Sequence, residues 1–351
     1  MSNGQEFVIP DRVYYTLRVW DIEPGNLIRR FDTASVPDIS TVDLSRDATL
    51  VLSGHDNGYV ALWNAATGEE IRHFESGTAD IHAVALSPDN LYAVTGDHDG
   101  TVTLWDTETG SLVRRFEDHS NPVLDVNFSS DGTRLVTTSG NPYLAQSDDT
   151  SVRVWDVVTG EELQSHVHPD TVWSADFSPD GQRVVSSSGP LLDTGSHVIL
   201  VWDVTSGEEI TRITEHSDLA GSVTFSTDGQ SVLSSSDDST VRLWNAETGK
   251  EIRRFEGHTG FINSVVSTPD GQIIISGSDD NTIRLWDALT GEELYRIDEH
   301  GDTIQDTALS GDGRQLLAVS DNNAMILWHI DRDLADLMVW LDANRYVRDL
   351  T

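Results

Sequence analysis

The chain has 351 residues and carries 59 acidic against 22 basic side chains, a net charge of −37. A field of that sign repels phosphate backbones and anionic membrane surfaces, so neither nucleic acid nor membrane is an expected partner. There is no cysteine, which excludes disulfides and thiolate metal sites and fits a cytoplasmic location. No apolar run approaches the roughly 18 residues of a membrane-spanning helix. Met1 to Pro10 lacks the basic start and apolar stretch of a secretory signal.

The first predicted strand, Tyr14 to Trp20, ends in Leu17–Arg–Val–Trp–Asp. Its apolar and polar residues alternate, the period of a half-buried strand. A second strand, Asn26 to Phe31, follows directly. From residue 39 a longer unit sets in and recurs. It opens on a strand and passes a turn such as Ser87–Pro–Asp–Asn, Ser178–Pro–Asp–Gly or Thr268–Pro–Asp–Gly, whose second-position Pro suits a type I turn. A second strand and a third follow, the third ending in Trp, as in Val152–Arg–Val–Trp–Asp, Val241–Arg–Leu–Trp–Asn and Ile283–Arg–Leu–Trp–Asp. A tight turn such as Thr248–Gly249 or Thr290–Gly291 leads to a fourth strand. Trp20, Trp63, Trp105, Trp155, Trp202, Trp244, Trp286 and Trp328 stand at steps of 43, 42, 50, 47, 42, 42 and 42 residues. Opening strands are predicted near residues 39, 81, 123, 172, 220, 262 and 304. Nothing within the unit reads as a helix.

This spacing, with four strands per unit and recurring Trp-Asp pairs, resembles the WD-repeat family over about residues 13–330. The resemblance implies an all-β, seven-bladed β-propeller with four-stranded antiparallel blades. It also implies a buried hydrogen-bonded set of His, Ser or Thr, Asp and Trp in each blade. His258, Ser276, Asp280 and Trp286 match that set, as do His216, Ser234, Asp238 and Trp244. His119, Asp149 and Trp155 match around a longer loop. Elsewhere the pattern is eroded: Asn57 and Asn322 replace the Asp, Ser196 does so before Trp202, and Gly77 stands where a His is expected. Seven blades require Asn26 to Phe31 to complete the blade begun by residues 303–328, a strand exchange that hides sheet edges. Tyr14 to Trp20 and Ala324 to Trp328 both read as third strands, so an irregular eighth blade is the alternative. The propeller is assigned to residues 1–330. In residues 331–351, Leu334, Leu337, Met338 and Leu341 fall at helical spacing; the tail resembles those that follow WD repeats in large bacterial multidomain signalling proteins.

Signs of catalysis are few. His166 and His168 would share a strand face, but His168 falls where the structural His belongs and no third zinc ligand is in view. The pairs Asp148–Asp149, Asp237–Asp238 and Asp279–Asp280 recur at the repeat spacing, which points to architecture rather than to acid–base chemistry. No phosphate-binding Gly-Lys-Ser/Thr loop or Gly-x-Ser-x-Gly turn occurs. No metal, cofactor or enzymatic activity is therefore expected, and His82 is the one ionisable residue anticipated in the inner column.

The surface is more suggestive. By the resemblance, the residue before the structural Asp lies on the top face; those residues are Asp56, His98, Asp148, Gly195, Asp237, Asp279 and Asp321. A solvated rim would explain them, as would a ring attracting Lys- or Arg-bearing partners. By alignment, Ser40, His82, Leu124, Trp173, Gly221, Asn263 and Gln305 face the channel mouth. Leu124, Trp173, Leu219 and Phe261 place apolar groups on four successive blades inside a polar rim, as at binding hot spots. Two loops longer than the repeat, residues 140–148 and 189–197, would flank Trp173. The expected function is a monomeric, non-catalytic scaffold binding a protein or peptide on this face. The rivals are a sensor module of a larger signalling protein and a propeller enzyme using the central channel.

Overall fold

The computed structural model describes residues 27–31, 37–77, 79–141, 147–190, 197–298 and 300–330. These form seven four-stranded antiparallel sheets. Blade 1 is Ile39–Leu44, Leu50–His55, Tyr59–Asn64 and Glu70–Glu75, and blades 2 to 6 repeat it with innermost strands Ile81–Leu86, Val123–Phe128, Val172–Phe177, Ala220–Phe225 and Ile262–Ser267. Blade 7 holds Ile304–Leu309, Gln315–Ser320 and Met325–His329, with Leu27–Arg30 as its outermost strand. Leu27 pairs with Trp328 and Arg30 with Ile326, which is the expected closure by strand exchange. Met325–His329 fills the third-strand place of that blade, so the seven-blade reading holds. Tyr14 to Trp20 and the helix expected in residues 331–351 lie outside the described residues.

Local chemistry explains the strands and their ends. In the Ser178–Pro–Asp–Gly turn, the Ser178 hydroxyl donates to Asp180 (2.6 Å) and accepts from the Arg183 amide (2.9 Å), while Gly181 takes the left-handed conformation (φ 66°). The blades then pack face to face. Phe74 of blade 1 meets Trp105 of blade 2 with ring centroids 5.6 Å apart, and Phe116–Trp155 and Phe255–Trp286 repeat the contact one and four blades on. Each such Phe, once buried, contributes about 1.5–3 kcal/mol. The seven apolar cores are therefore mostly shared between neighbouring blades.

Two sets of links between blades were not anticipated from the sequence. Outer-strand arginines reach the next blade's turn: Arg72 donates to Glu108 O (2.7 Å) and Thr109 O (2.9 Å), Arg114 to Val158 O (2.8 Å) and Arg253 to Thr290 O (3.0 Å). On the channel side, carboxylates cap backbone amides of the following blade. Asp306 accepts from Val42 N (3.1 Å), Asp43 from Leu86 N (2.7 Å) and Asp125 from Ala175 N (3.0 Å). Asp176 accepts from the Thr224 hydroxyl (2.7 Å). An innermost strand has no further strand beside it, and these acids serve its exposed donors.

Candidate functional site

The structural sets hold the loops of the upper face in place. In blade 6 the Trp286 indole N–H donates to the Ser276 hydroxyl (2.9 Å). That hydroxyl donates to His258 Nε2 (2.7 Å), and His258 Nδ1–H donates to Asp280 (2.9 Å). Blade 5 repeats this through Trp244, Ser234, His216 and Asp238. Blade 3 does so through Trp155, His119 and Asp149, with Thr137 as the hydroxyl. Burial alone would raise the Asp280 carboxyl, but hydrogen bonds from His258 and Thr282 hold it well below the usual range. Arg242 and Arg284 extend the two sets outward, contacting Asp238 (2.8 Å) and Asp280 (3.2 Å) and lying over Trp244 and Trp286.

The eroded blades use substitutes. In blade 1 the ring comes from His55 on the second strand, bonded to Ser53, which accepts from Trp63. In blade 4 His168 bonds both Ser186 and Ser188 (2.9 Å each), so Ser188 replaces the carboxylate; Ser196 lies outside the described residues. In blade 2, where no His takes the structural place, Trp105 donates to Thr95 alone (3.2 Å). In blade 7 Ala318 takes the hydroxyl's place, and Trp328 approaches His300 directly (3.4 Å). His166 stacks on Trp202 with ring planes 19° apart and centroids 5.7 Å apart, a packing role beside His168.

A central channel of about 380 Å³ runs between the innermost strands, and all seven expected column residues line it, from Ser40 to Gln305. The reason is a β-bulge. In every blade the register of the innermost strand shifts just after its first residue, as between Val172 and Ser174 or Ile262 and Ser264. The second residue therefore turns out of the sheet toward the channel instead of packing on a neighbouring blade. Trp173 is half-buried, belongs to none of the seven apolar cores, and donates its indole N–H to Gly189 O (2.8 Å). Asn263 donates to Asp279 (2.8 Å), Gln305 to Asp321, and His82 contacts His98 (3.1 Å).

The remaining site residues divide. Leu124 lines the channel beside Trp173, Phe261 is 49% exposed, and Asp148 and Asp279 are exposed. Leu219 departs from the expectation. It is 4% exposed and leans into the space left by the absent side chain of Gly189, so it is not presented on the face. The channel also holds more ionisable groups than His82: Asp43, Asp125, Asp176 and Asp306 line it as well. Burial pushes Asp43 and Asp125 up to about 7 and Asp306 to about 6, against the amides they cap. Alternation along the innermost strands could have indicated them, had the bulge been known.

Among the described residues, the loops of the upper face carry one sign of charge. None of them contains Lys or Arg, whether they follow a second strand, as at Asp237–Asp238, or an outermost one, as at His258–Phe261. The consequence appears at Asp237, which burial and then the charges of Asp218, Asp279 and Asp238 push up to about 6. Asp56 is raised in the same sense by burial, Asp80 and Asp38. Among the described residues no group of three or more His, Asp or Glu is arranged to hold a metal ion, and no helix is long and apolar enough to cross a membrane.

Residues 25–64, 68–106, 110–156, 160–203, 207–245 and 249–287 match a family described as WD domain, G-beta repeat. The matched segments stop short of the innermost strand of blade 7, where the structural set has lost both hydroxyl and carboxylate. No curated protein matches the chain.

Proposed function

Because the chain belongs to the WD40 repeat family, whose propellers are generally protein-interaction scaffolds and typically non-catalytic, we propose that it binds a Lys- or Arg-bearing protein segment on its upper face. The observation that carries this reading is the single-sign charge of that face, where carboxylates such as Asp237 have other carboxylates as their charged neighbours. A cation placed among Asp148, Asp237 and Asp279 relieves that repulsion, and Trp173, Leu124 and Phe261 supply apolar contact inside the rim. The channel acids support the non-catalytic side of the reading. Asp43, Asp125, Asp176 and Asp306 each accept from a backbone amide or hydroxyl of the next blade, so their convergence has a structural explanation.

The test is affinity capture with the full chain in parallel with its Trp173→Ala variant. Proteins retained by the first and lost by the second support the reading. A captured set that Trp173→Ala leaves unchanged moves the site to the side or lower face.

A further inference from the structure

The seven seams of the ring differ on the channel side. At five of them a side chain of one innermost strand bonds the next. Asp306 reaches Val42 N and Asp43 reaches Leu86 N. Asp125 reaches Ala175 N and Asp176 reaches Thr224. At the seam between blades 6 and 7, Asn263 reaches Ile304 O (2.9 Å) and Ser264 bonds Thr307 (3.0 Å). The seams between blades 2 and 3 and between blades 5 and 6 have no such bond among the described residues.

These two seams are not equivalent. At the first, the strands fit closely. Gly96 lacks a side chain where Val123 packs, and a Cβ there would lie 2.5 Å from that residue. At the second, Ser235 stands in the place of Gly96 with its side chain buried. On the innermost strand there, a Cβ on Gly221, where blade 2 has His82, would meet only Ile262 O at 3.7 Å and Asn263 O at 4.0 Å. The register shift in blade 5 is also wider than elsewhere, running from Ala220 to Val223. At the top of this seam, Asp237 of blade 5 and Asp279 of blade 6 carry like charge close enough to raise the Asp237 carboxyl. Little but apolar packing and the outer Arg253 link to Thr290 O opposes separation there.

We propose that the seam between blades 5 and 6 is the joint at which the ring opens, because Gly221 lacks the side chain that would bind its strand to the next blade. The rest of the ring then stays one continuous arc whose two ends meet at this seam, with the strand exchange of blade 7 undisturbed. Asn263 shows what is missing, since its amide donates both to Asp279 in its own blade and to Ile304 O in the next. Gly221→Asn places the same amide between Asp237 and Ile262 O. It has room to do so, and the backbone there is not left-handed.

The full chain has no cysteine, so a single introduced thiol reports opening cleanly. Val265 and Val223 hold the same place in adjacent blades and are each 2% exposed. Val265 shares an apolar core with Leu233 and Val241 across the proposed joint, and Val223 one with Val185 and Val201 across the seam before it. Labelling by a small disulfide reagent is expected to be at least about tenfold faster for Val265→Cys than for Val223→Cys. Adding Gly221→Asn should slow the first to the rate of the second and leave the second unchanged. Equal rates overturn the proposal, as does a Gly221→Asn effect that slows both thiols alike. If the cysteine variants do not fold, hydrogen exchange of the unaltered chain against Gly221→Asn decides. Slower exchange confined to Ile262–Ser267 supports the joint, and no change there overturns it.

Discussion

Replacing Asp280 tests how the blades are held together, because the same position in blade 7 is naturally Asn322. The Asp280 carboxylate accepts from His258 Nδ1 (2.9 Å), the Thr259 amide (3.1 Å), the Thr282 amide (3.1 Å), the Thr282 hydroxyl (2.5 Å) and Arg284 (3.2 Å). Asp280→Ala leaves those donors without it, in a site where the His258 and Arg284 side chains are almost fully covered. Breaking a buried charged pair by removing one partner costs about 3–5 kcal/mol. Arg284 keeps Glu293 (2.6 Å), which places the expectation at the lower end, about 3 kcal/mol. Asn322 makes fewer and neutral bonds, accepting from the Ala324 amide and the Ser320 hydroxyl and donating to His300 O. Asn322→Ala should cost about 1 kcal/mol, the net worth of an ordinary hydrogen bond. Thermal melts and urea titrations of the two variants at neutral pH make the comparison. At about 2–4 °C per kcal/mol for a large domain, Asp280→Ala should melt several degrees below Asn322→Ala. Equal losses would refute the assignment of Asp280 as the centre of a buried network.

Deleting residues 1–31 removes Leu27–Arg30 and leaves Met325–His329 as an open edge, so cooperative melting should be lost. A truncated chain that still melts sharply as a monomer would contradict the closure. Burial raises Asp43 and Asp125 to about 7, so the folded chain keeps protons that the unfolded chain releases near its ordinary pKa of about 3.9. Stability should therefore rise as pH falls from 8 toward 6.5, and Asp43→Asn should flatten that limb; a melting temperature that rises with pH over this range would contradict it. His168 and His300 are pushed down to about 3 by burial, so their contribution is present in full above about 6.5 and lost progressively as pH falls from there toward 3. Between about pH 6.5 and 4 the melting temperature of His168→Gln should therefore fall less, or rise more, than that of the unaltered chain, and parallel curves would contradict this. With a partner in hand, Trp173→Ala should speed dissociation, costing about 2 kcal/mol or more. Reversing Asp148, Asp237 and Asp279 to Lys should instead slow association and reduce its salt dependence; binding kinetics unaltered by both changes would place the partner elsewhere.

The repeat made the architecture legible. Trp-ending strands, Thr-Gly turns and Ser-Pro-Asp-Gly turns are local signals. The first residues of the innermost strands, Ile39 to Ile304, fall where the spacing places them. The structural sets in blades 3, 5 and 6 were readable because their members sit at fixed offsets. The substitutes were not, since His55 and Ser188 enter from the second strand, where the offset differs, and only the bond distances reveal them. Leu219 was misplaced because spacing along one chain cannot report a gap opened by Gly189 on the neighbouring blade. The channel acids were missed for a related reason. Asp125 and Asp306 look like ordinary polar alternation until the bulge shows which way the strand edge turns.

That bulge also explains where individuality is kept in a repetitive chain. Residues that face a neighbouring blade are constrained by close packing, and they recur as Val, Ile, Leu or Ala from blade to blade. The bulged residue belongs to no apolar core, and there the chain carries Ser40, His82, Leu124, Trp173, Gly221, Asn263 and Gln305, seven different residues in seven blades. Folding asks little of this column beyond fitting into a channel of about 380 Å³. Variation there leaves the cores intact yet changes the mouth of the channel from blade to blade, pairing an amide with a carboxylate at Asn263, presenting an indole at Trp173 and leaving a gap at Gly221. A ring of near-identical blades thereby gains one direction around its axis that differs from the rest. The arc from Trp173 to Asp279 is where an apolar group, unrelieved negative charge and the least tied seam fall together.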